Sequence, residues 1–573
     1  VLEEYQGATG SQPMLTPQGE EAVMTSSSAG GAAMASTATD RGQLLAELTQ
    51  LFAEQTGYEA EELEPDFQLE ADLGIDTVKQ AEIFAIIRER YQLPQSDDFK
   101  LADVQTLTLV VDYVRGNQMT SDVATTPEKP IEVQSPVLAE GPTVIAFGAE
   151  SREALLSKAA AVQSAAQRFP KDFEQARREA AQFPCRLAFV AESIEEVGKK
   201  IADAGKRSNR ILAARGIYLT EGSELAAGKT AFLFPGQGSQ YIGMLRDLAE
   251  IYPVVADTFA EGNEILRPLI GGKTLTDLVW PEGVDAKDKQ AAAALQQTEI
   301  CQPAMLTADI ALMRLLIQFG IQPDYVVGHS LGEYAACVAA GVMSFADALY
   351  AVSARGREMA SVKVEDCGKM ASVPLEAAKV ESVLAGVDGY VIAANKNCRK
   401  QTVIAGSSDA VEAAVQKFAD DGIDARLIPV SHAFHCEIVA PAAKPLAKVL
   451  AGLDLQAPRI PILSNVHAGP YPVAKDEIVA LLAKQLESPV EFIAQLEALY
   501  DAGVRNYVEV GPRRAITGFV HNVFEGRPYV GVFTNHHKKA GQLGFLEALS
   551  AIAAGGVEID FSGTTEPSSV RDL

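Results

Sequence analysis

The chain has 573 residues, of which 47% are apolar and 22% are charged, and its formal net charge at pH 7 is −27. This composition is typical of a globular protein, and the length predicts three or four folding units. The acidic balance argues against nucleic acid or an anionic membrane as a partner, and no run approaches the ~20 apolar residues of a membrane span. The six cysteines are scattered without a C-x-x-C pair, so we expect no metal site, no disulfide framework and a reduced, cytoplasmic protein.

The first part of the chain predicts a helical bundle between two linkers. Residues 1–40 are rich in Gly, Ser, Thr and Ala and predict a flexible linker. Residues 41–117 hold three segments with apolar residues at helical spacing, LLAELTQLF, TVKQAEIFAIIRERY and LTLVVDYV, and predict a small bundle. This bundle has 6 basic and 16 acidic residues, a net charge of −10. Residues 118–140 are a Pro- and Thr-bearing linker. Because the chain starts at Val1 and both ends read as linker, we expect a piece of a longer polypeptide.

The rest of the chain alternates short apolar strands with amphipathic helices. Residues 141–228, with TVIAFGA, CRLAFVA and GIYLTE, predict a small α/β unit. From residue 229, strands such as TAFLF, YVVGHS and YVEVGP alternate with helices, which predicts a mostly parallel sheet covered on both faces. Within this larger unit, about residues 368–431 read as β-α-β-β-α-β, the order of a ferredoxin-like subdomain.

The sharpest chemical signal is the sequence GHSLG, in which Ser330 lies between the strand YVV and the helix EYAACVAAG. A G-x-S-x-G motif between a strand and a helix is typical of a nucleophile elbow, because its glycines permit the tight turn that lifts the serine hydroxyl clear of the sheet. The following helix points its N-terminal N–H groups at the reacting centre. The pattern therefore predicts Ser330 as a nucleophile.

A serine nucleophile needs a base, and the sequence offers seven histidines. His432 and His435 lie in SHAFHCEIVAP, just after the last strand of the predicted insert, whereas His521, His536 and His537 fit ordinary surface or core positions. A second Gly-rich turn, FPGQGSQ, follows the first strand of the large unit, and its backbone N–H groups could face a developing oxyanion.

Several motifs occur in one collinear order over about residues 229–535: FPGQGSQ, QTEICQPAML, GHSLGE, RGREM, NKNCRKQTVIAG, HAFH, SNVHAG, SPVEF and EVGP. This order resembles the malonyl-CoA:acyl carrier protein acyltransferase family, which includes the acyltransferase domains of modular polyketide and fatty acid synthases. The resemblance implies an α/β-hydrolase-like large subdomain with a ferredoxin-like small subdomain. It also implies malonyl-CoA as substrate, the phosphopantetheine thiol of an acyl carrier protein as acceptor, and neighbouring synthase domains such as a ketosynthase.

The same resemblance assigns roles to individual residues. It implies that Ser330 is the nucleophile and that His435 is the general base, oriented by a backbone carbonyl rather than by an aspartate. Arg355 in RGREM would receive the malonyl carboxylate, and no metal is implied. The remaining implied positions are the oxyanion-hole N–H groups of Gln237 and Leu331 and the pocket-lining side chains of His329 and Gln401.

The choice of acyl group can also be predicted. HAFH at 432–435, Leu331 and QTEICQ are similar to the malonyl-selective subgroup of the family. The ring of Phe434 would crowd the space beside C2 of the acyl group, so that an added methyl would clash. One methyl is worth only ~1–3 kcal/mol of discrimination, so leakage to methylmalonyl is expected.

The flanking segments resemble parts of the same synthases. Residues 141–228 resemble the linker domain between a ketosynthase and its acyltransferase, and residues 536–573 resemble the post-acyltransferase linker. The bundle at 41–117 resembles an acyl carrier protein, but Thr77 stands where the serine that carries phosphopantetheine is usual. We therefore predict a carrier-like fold that is a poor carrier, or none.

Two alternative hypotheses to acyl transfer remain open. A serine hydrolase or thioesterase would also use G-x-S-x-G, although Arg355 and the predicted insert between Ser330 and His435 argue against it. A non-catalytic docking scaffold is the alternative for the bundle, whose acidic face could bind other domains.

Overall fold

The computed structural model describes residues 41–56, 77–91, 104–118 and 141–561, with four single residues between the first two segments and gaps at 223–224, 226–227, 271, 285–287 and 540. The predicted linkers at 1–40 and 118–140 lie outside the described residues, apart from Gln118, as does the end of the last linker at 562–573. The chain divides into two compact units, Val1–Thr126 and Pro127–Leu573.

The first unit consists, in its described part, of the three predicted helices. These are α1 (Arg41–Thr56), α2 (Thr77–Tyr91) and α3 (Leu107–Gln118). Their apolar faces meet in a core that includes Phe52, Ile83 and Val110, each of them fully buried. Thr77 is the first residue of α2, and its side chain and Asp76 before it lie outside the described residues.

The second unit begins with a small antiparallel sheet and the helices that cover it. The elements are β1 (Thr143–Ala149), α4 (Arg152–Ala165), α5 (Glu174–Glu179), β2 (Cys185–Ala191), α6 (Ile194–Lys206), α7 (Asn209–Ala214) and β3 (Ile217–Thr220). The strand order is β1-β2-β3. Phe147 and Phe189 pack with Leu155 of α4 on one face of the sheet.

The central part of the second unit then begins. Its elements are β4 (Lys229–Phe234), α8 (Arg246–Ile251), α9 (Pro253–Leu266), α10 (Leu275–Val279), α11 (Lys289–Leu295), α12 (Thr298–Gln318), β5 (Tyr325–Gly328), α13 (Gly332–Ala339) and α14 (Phe345–Ala360). Among the described residues, α12 is the one helix long and apolar enough to cross a membrane, which the sequence analysis did not recognise, but nearly all of it is buried in the core.

The insert has the predicted order of strands and helices. It comprises β6 (Lys369–Val373), α15 (Ala377–Leu384), β7 (Val391–Cys398), β8 (Gln401–Gly406), α16 (Ser408–Asp420) and β9 (Arg426–Ile428). The strands form an antiparallel sheet in the order β7-β8-β6-β9. The pairing of β7 with β8 is irregular, with register shifts between Ala393 and Asn395 and between Lys396 and Cys398.

The chain then returns to the central sheet. The last elements are α17 (Ala443–Ala451), α18 (Lys475–Gln485), α19 (Phe492–Asp501), β10 (Val504–Glu509), α20 (Ala515–Val523), β11 (Val530–Phe533) and α21 (Gly541–Ala554). The sheet order is β11-β10-β4-β5 and all three pairings are parallel, as predicted. Glu509 at the end of β10 is fully buried and accepts hydrogen bonds from the backbone N–H groups of Ile516 and Thr517, which begin α20.

The last helix packs on the first sheet. Ala553 and Ala554 of α21 lie against Ala146 of β1 and Ala188 of β2, on the face opposite α4. The fully buried Arg186 donates from its Nε to the Ala554 carbonyl at 2.7 Å, and the Thr220 hydroxyl donates to the same oxygen. Residues 141–228 and α21 therefore share one core.

Candidate active site

Ser330 lies in a strained turn between β5 and α13. Its φ is +55°, in the left-handed region that costs a non-glycine residue roughly 1–2 kcal/mol. The glycines on either side have no room for a side chain, since a Cβ on Gly328 would lie 2.0 Å from the Gly332 carbonyl carbon and one on Gly332 would lie 2.1 Å from the Phe234 oxygen. The turn therefore has the tight geometry that the sequence analysis expects of a nucleophile elbow.

His435 reaches the same point from the segment that follows the insert. Its Nε2 lies 2.6 Å from the Ser330 Oγ. His435 is also left-handed, with φ +58°, and its backbone N–H donates to the Leu486 carbonyl at 3.1 Å. The structure thus brings together the two residues that the sequence analysis paired across 105 positions.

The ring of His435 is oriented by backbone carbonyls. Its Nδ1 lies 3.2 Å from the carbonyl oxygens of both Gln485 and Ser488. Because a carbonyl oxygen only accepts, Nδ1 carries the proton, and Nε2 is left as the acceptor for the Ser330 hydroxyl. Burial, with smaller contributions from Arg355 and His329, lowers the pKa of His435 to about 3, so the ring is neutral at physiological pH.

The Gly-rich turn after β4 lies directly beside the elbow. A Cβ on Gly236 would stand 2.6 Å from the His329 carbonyl oxygen and 3.6 Å from the Leu331 backbone nitrogen, so only glycine permits this approach. Gln237 borders the cavity above Ser330, and Leu331 is buried at the start of α13. The two predicted oxyanion-hole residues therefore belong to adjacent loops.

A cavity of about 730 Å³ opens over Ser330 and His435. The large subdomain contributes Gln237, Arg355 and Met359, the small subdomain contributes Met370 and Val403, and the segment that follows it contributes Phe434. Phe434 is partly buried and packs against the cores on both sides. Among the described residues, no three His, Cys, Asp or Glu side chains come together as metal ligands.

Arg355 extends from α14 into this cavity and is only 2% exposed. No carboxylate of the described residues lies within 4.0 Å of its guanidinium as an ion pair, and its Nε has no hydrogen-bond partner. Burial lowers the pKa of Arg355, although nearby Tyr334 and Glu333 act in the opposite direction. An unpaired buried cation is costly, so the cavity is suited to receive an anion.

His329 and Gln401 lie at different distances from the cavity and are linked through Asn397. His329 borders the cavity, and its Nε2 lies 2.7 Å from Asn397 Oδ1. Asn397 Nδ2 in turn donates to Gln401 Oε1 at 2.8 Å. Gln401 is not among the described residues that line the cavity, so the expectation that it lines the pocket is corrected: it orients Asn397, which does.

The sequence analysis missed three side chains that hold the elbow and the base in place. Asn465 of the SNVHAG motif accepts the Ser330 N–H at 2.6 Å and donates to the Gly328 carbonyl at 2.6 Å. Gln485 donates to the Ser330 carbonyl at 2.7 Å. Glu333 lies beneath both. Asn465 and Glu333 lie within the motifs SNVHAG and GHSLGE, but no local pattern in the sequence marks their contacts.

Known proteins are similar in sequence to part of this chain. Residues 231–556 match the model of the acyl transferase domain family, past the boundary predicted at 535. The chain is 39% identical over 301 residues to the malonyl CoA-acyl carrier protein transacylase of Bacillus subtilis, covering 52% of this chain and 90% of that protein. It is 34% identical over 351 residues to a phenolphthiocerol synthesis polyketide synthase type I of Mycobacterium marinum, covering 61% of this chain and 16% of that protein.

A solved structure agrees with these matches. The acyl transferase domain of SpnD, in complex with 2-(pent-4-yn-1-yl)malonyl, superposes with a TM-score of 0.61 at 27% identity, covering 72% of this chain and 96% of that one. The elbow, the paired histidine and the α/β fold with its small subdomain thus occur in a chain whose sequence matches one family over more than half its length. The chain belongs to the acyl transferase domain family.

Proposed function

We propose that the chain transfers a malonyl group from malonyl-CoA, through an ester on Ser330, to the phosphopantetheine thiol of an acyl carrier protein in fatty acid or polyketide synthesis. The observation that carries this proposal is the buried, unpaired Arg355 in the cavity of the Ser330–His435 pair. The similarity to a malonyl CoA-acyl carrier protein transacylase supports it.

In the first half-reaction, Ser330 Oγ bonds to the thioester carbonyl carbon while its proton passes to His435 Nε2, 2.6 Å away. Collapse of the tetrahedral intermediate breaks the C–S bond, and the imidazolium returns the proton to the departing coenzyme A thiolate. The carbonyls of Gln485 and Ser488 keep the ring in the tautomer that this transfer needs.

In the second half-reaction, the carrier thiol gives its proton to His435, and the thiolate attacks the malonyl ester carbon. The Ser330–acyl bond then breaks, and the serine oxygen recovers its proton from His435. We infer that the backbone N–H groups of Gln237 and Leu331 stabilise the oxyanion in both halves, because Gly236 places their loops side by side.

Substrate selection follows from two cavity side chains. Arg355 would hold the malonyl carboxylate by parallel charge-assisted hydrogen bonds in a site that excludes water. Phe434, on the small-subdomain side, would limit the room beside C2 of the acyl group. His329, held by Asn397, would orient the acyl group between them.

A hydrolase with the same elbow is less well supported. The ring nitrogen remote from Ser330 lies against two carbonyls, whereas a Ser-His-Asp hydrolase places a carboxylate there. A hydrolase also has no need of a cation that selects dicarboxylic acyl groups.

For the flanking parts we propose the roles that the sequence suggested. The bundle at 41–117 would have the fold of an acyl carrier protein, and residues 141–228 and 536–573 would be the linkers that flank an acyltransferase in a synthase with a neighbouring ketosynthase. The three-helix core and the acidic balance of the bundle support this proposal.

The nucleophile is tested by Ser330→Ala. Wild-type protein incubated with malonyl-CoA should carry one malonyl adduct by intact-protein mass spectrometry, and the variant should carry none, because Ser330 supplies the hydroxyl that is hydrogen-bonded to His435 Nε2. Ser361→Ala, at an exposed serine, should acylate like wild type. A labelled Ser330→Ala protein would contradict the assignment, and an adduct that water removes as fast as a carrier does would favour the hydrolase.

The cation is tested by Arg355→Ala. Losing one partner of a buried charged pair costs about 3–5 kcal/mol, so kcat/KM for malonyl-CoA should fall by roughly 10²- to 5 × 10³-fold, with little loss for acetyl-CoA. Arg355→Lys keeps the charge but not the planar fork and should be intermediate. Arg357→Ala, exposed on the same helix, is the control. An unchanged malonyl-to-acetyl ratio in Arg355→Ala would refute the role.

The protonation state of the base is tested by NMR on protein labelled at its seven histidines. With its pKa lowered to about 3 by burial, His435 should remain neutral from pH 8 to pH 5, so its ring signals should not shift over that range. The unfolded chain takes up that proton near pH 6.5, so acidification should also weaken folding. A His435 signal, assigned by its loss in His435→Gln, that titrates near 6.5 would contradict the neutral buried base.

The bundle is tested by phosphopantetheinylation. The extra methyl of Thr77 should crowd the attacking hydroxyl in an enzyme pocket shaped for serine, at a cost of ~1–3 kcal/mol, or roughly tenfold to a hundredfold in rate. Incubation with coenzyme A and a broad-specificity phosphopantetheinyl transferase should therefore modify wild type slowly or not at all and Thr77→Ser rapidly. Equal rates for the two proteins would remove the methyl group as the obstacle.

A further inference from the structure

Beneath the elbow lies a carboxylate that takes no part in the mechanism above. Glu333 is the third residue after Ser330 and is fully buried. Three hydrogen-bond donors converge on it: the Tyr471 hydroxyl at 2.5 Å, Gln485 Nε2 at 2.9 Å and the Asn465 backbone N–H at 3.4 Å. It is not among the residues that line the cavity.

Two of these donors belong to the residues that hold the reacting groups. The Asn465 side chain accepts the Ser330 N–H at 2.6 Å. The Gln485 side chain donates to the Ser330 carbonyl at 2.7 Å, and its backbone carbonyl lies 3.2 Å from His435 Nδ1. Glu333 is therefore the point at which the supports of the nucleophile and of the base meet.

We propose that Glu333 is a positioning residue, whose carboxylate fixes Asn465 and Gln485 and thereby sets the distance and angle between the Ser330 hydroxyl and His435. This inference goes beyond the proposed malonyl transfer and holds for any acyl donor. Glu333 would support His435 as an aspartate does in other serine enzymes, but through Gln485 and not by direct contact.

The chemistry of the contacts explains why a buried glutamate is tolerated. All three partners donate, so the carboxylate is satisfied as an acceptor. Arg355 interacts favourably with its charge, and burial opposes that charge, raising the pKa of Glu333 to about 7. The adjacent Cys337 and Tyr334 have pKa values raised by the same burial and stay neutral.

Two substitutions at Glu333 distinguish the effect of side-chain length from the effect of charge. Glu333→Gln keeps the length and can accept from Gln485 while Tyr471 reverses its hydroxyl to accept from the new amide. Glu333→Asp keeps the charge but is one methylene shorter and cannot reach both neighbours. If Glu333 acts by positioning, glutamine should preserve function better than aspartate, whereas a purely electrostatic role reverses that order.

The experiment measures the single-turnover rate constant for acylation of Ser330 by malonyl-CoA, per acylated site. A displacement of about 1 Å can cost ~10²-fold, so Glu333→Asp should lose roughly 10- to 100-fold and Glu333→Gln should stay within about tenfold of wild type. The KM for malonyl-CoA should change less than about threefold, because Glu333 does not contact the cavity. Glu509→Gln is the matched control, because Glu509 is also a fully buried carboxylate but accepts from the backbone N–H groups at the start of α20.

A merely structural glutamate would change the fraction of folded protein and hence the amplitude, but not the rate constant per site. Unchanged per-site rates in Glu333→Asp, or aspartate outperforming glutamine, would overturn the proposal. Inactivation by a serine-directed sulfonyl fluoride is measured in parallel and should show the same ranking. If wild type reacts with the sulfonyl fluoride but not with malonyl-CoA, the proposed function fails while Glu333 is still tested.

Discussion

The site depends on one hydrogen bond, 2.6 Å long, between two residues that both have left-handed backbone conformations. Neither Ser330 nor His435 would adopt this conformation in an isolated peptide, and each costs roughly 1–2 kcal/mol to hold there. The rest of the fold meets this requirement. The parallel sheet fixes the end of β5, and the end of α18 and the turn after it supply the carbonyls of Gln485 and Ser488 that orient the imidazole. The strained pair therefore requires that the sheet and α18 remain in place.

The charge of the site follows from how the histidine is oriented. Two neutral carbonyls perform the task that an aspartate performs in many serine enzymes, so no negative charge stands beside His435 to pair with Arg355. In the proposed reaction, the buried arginine would therefore remain free to attract an incoming carboxylate. Glu333, the carboxylate that interacts with Arg355 in the described part of the chain, does not line the cavity and accepts from three donors. Orientation of the base and recognition of an anion are thus compatible in the same small volume.

The sequence predicted the fold of the large unit and the proximity of Ser330 and His435, for identifiable reasons. Ser330 is marked by a local turn, and the β-α-β-β-α-β order of the insert by alternating periodicities, both of which depend on near neighbours. Gln401 was assigned to the pocket by the family resemblance alone, whereas its side chain contacts Asn397, which borders the cavity. Glu333 and Gln485 were missed because their partnership joins positions 152 residues apart and leaves no local pattern.

The contact between the first and last parts of the second unit bears on how this domain can be cut or exchanged. The stretch that matches the family begins at residue 231, after the small antiparallel sheet, yet includes α21. A fragment trimmed to that stretch would uncover the alanine face of α21 that Ala146 and Ala188 cover, and would leave the Ala554 carbonyl without the Arg186 guanidinium. The smallest unit that can be moved intact between proteins is therefore larger than the stretch that matches the family, because α21 packs against the sheet that precedes that stretch.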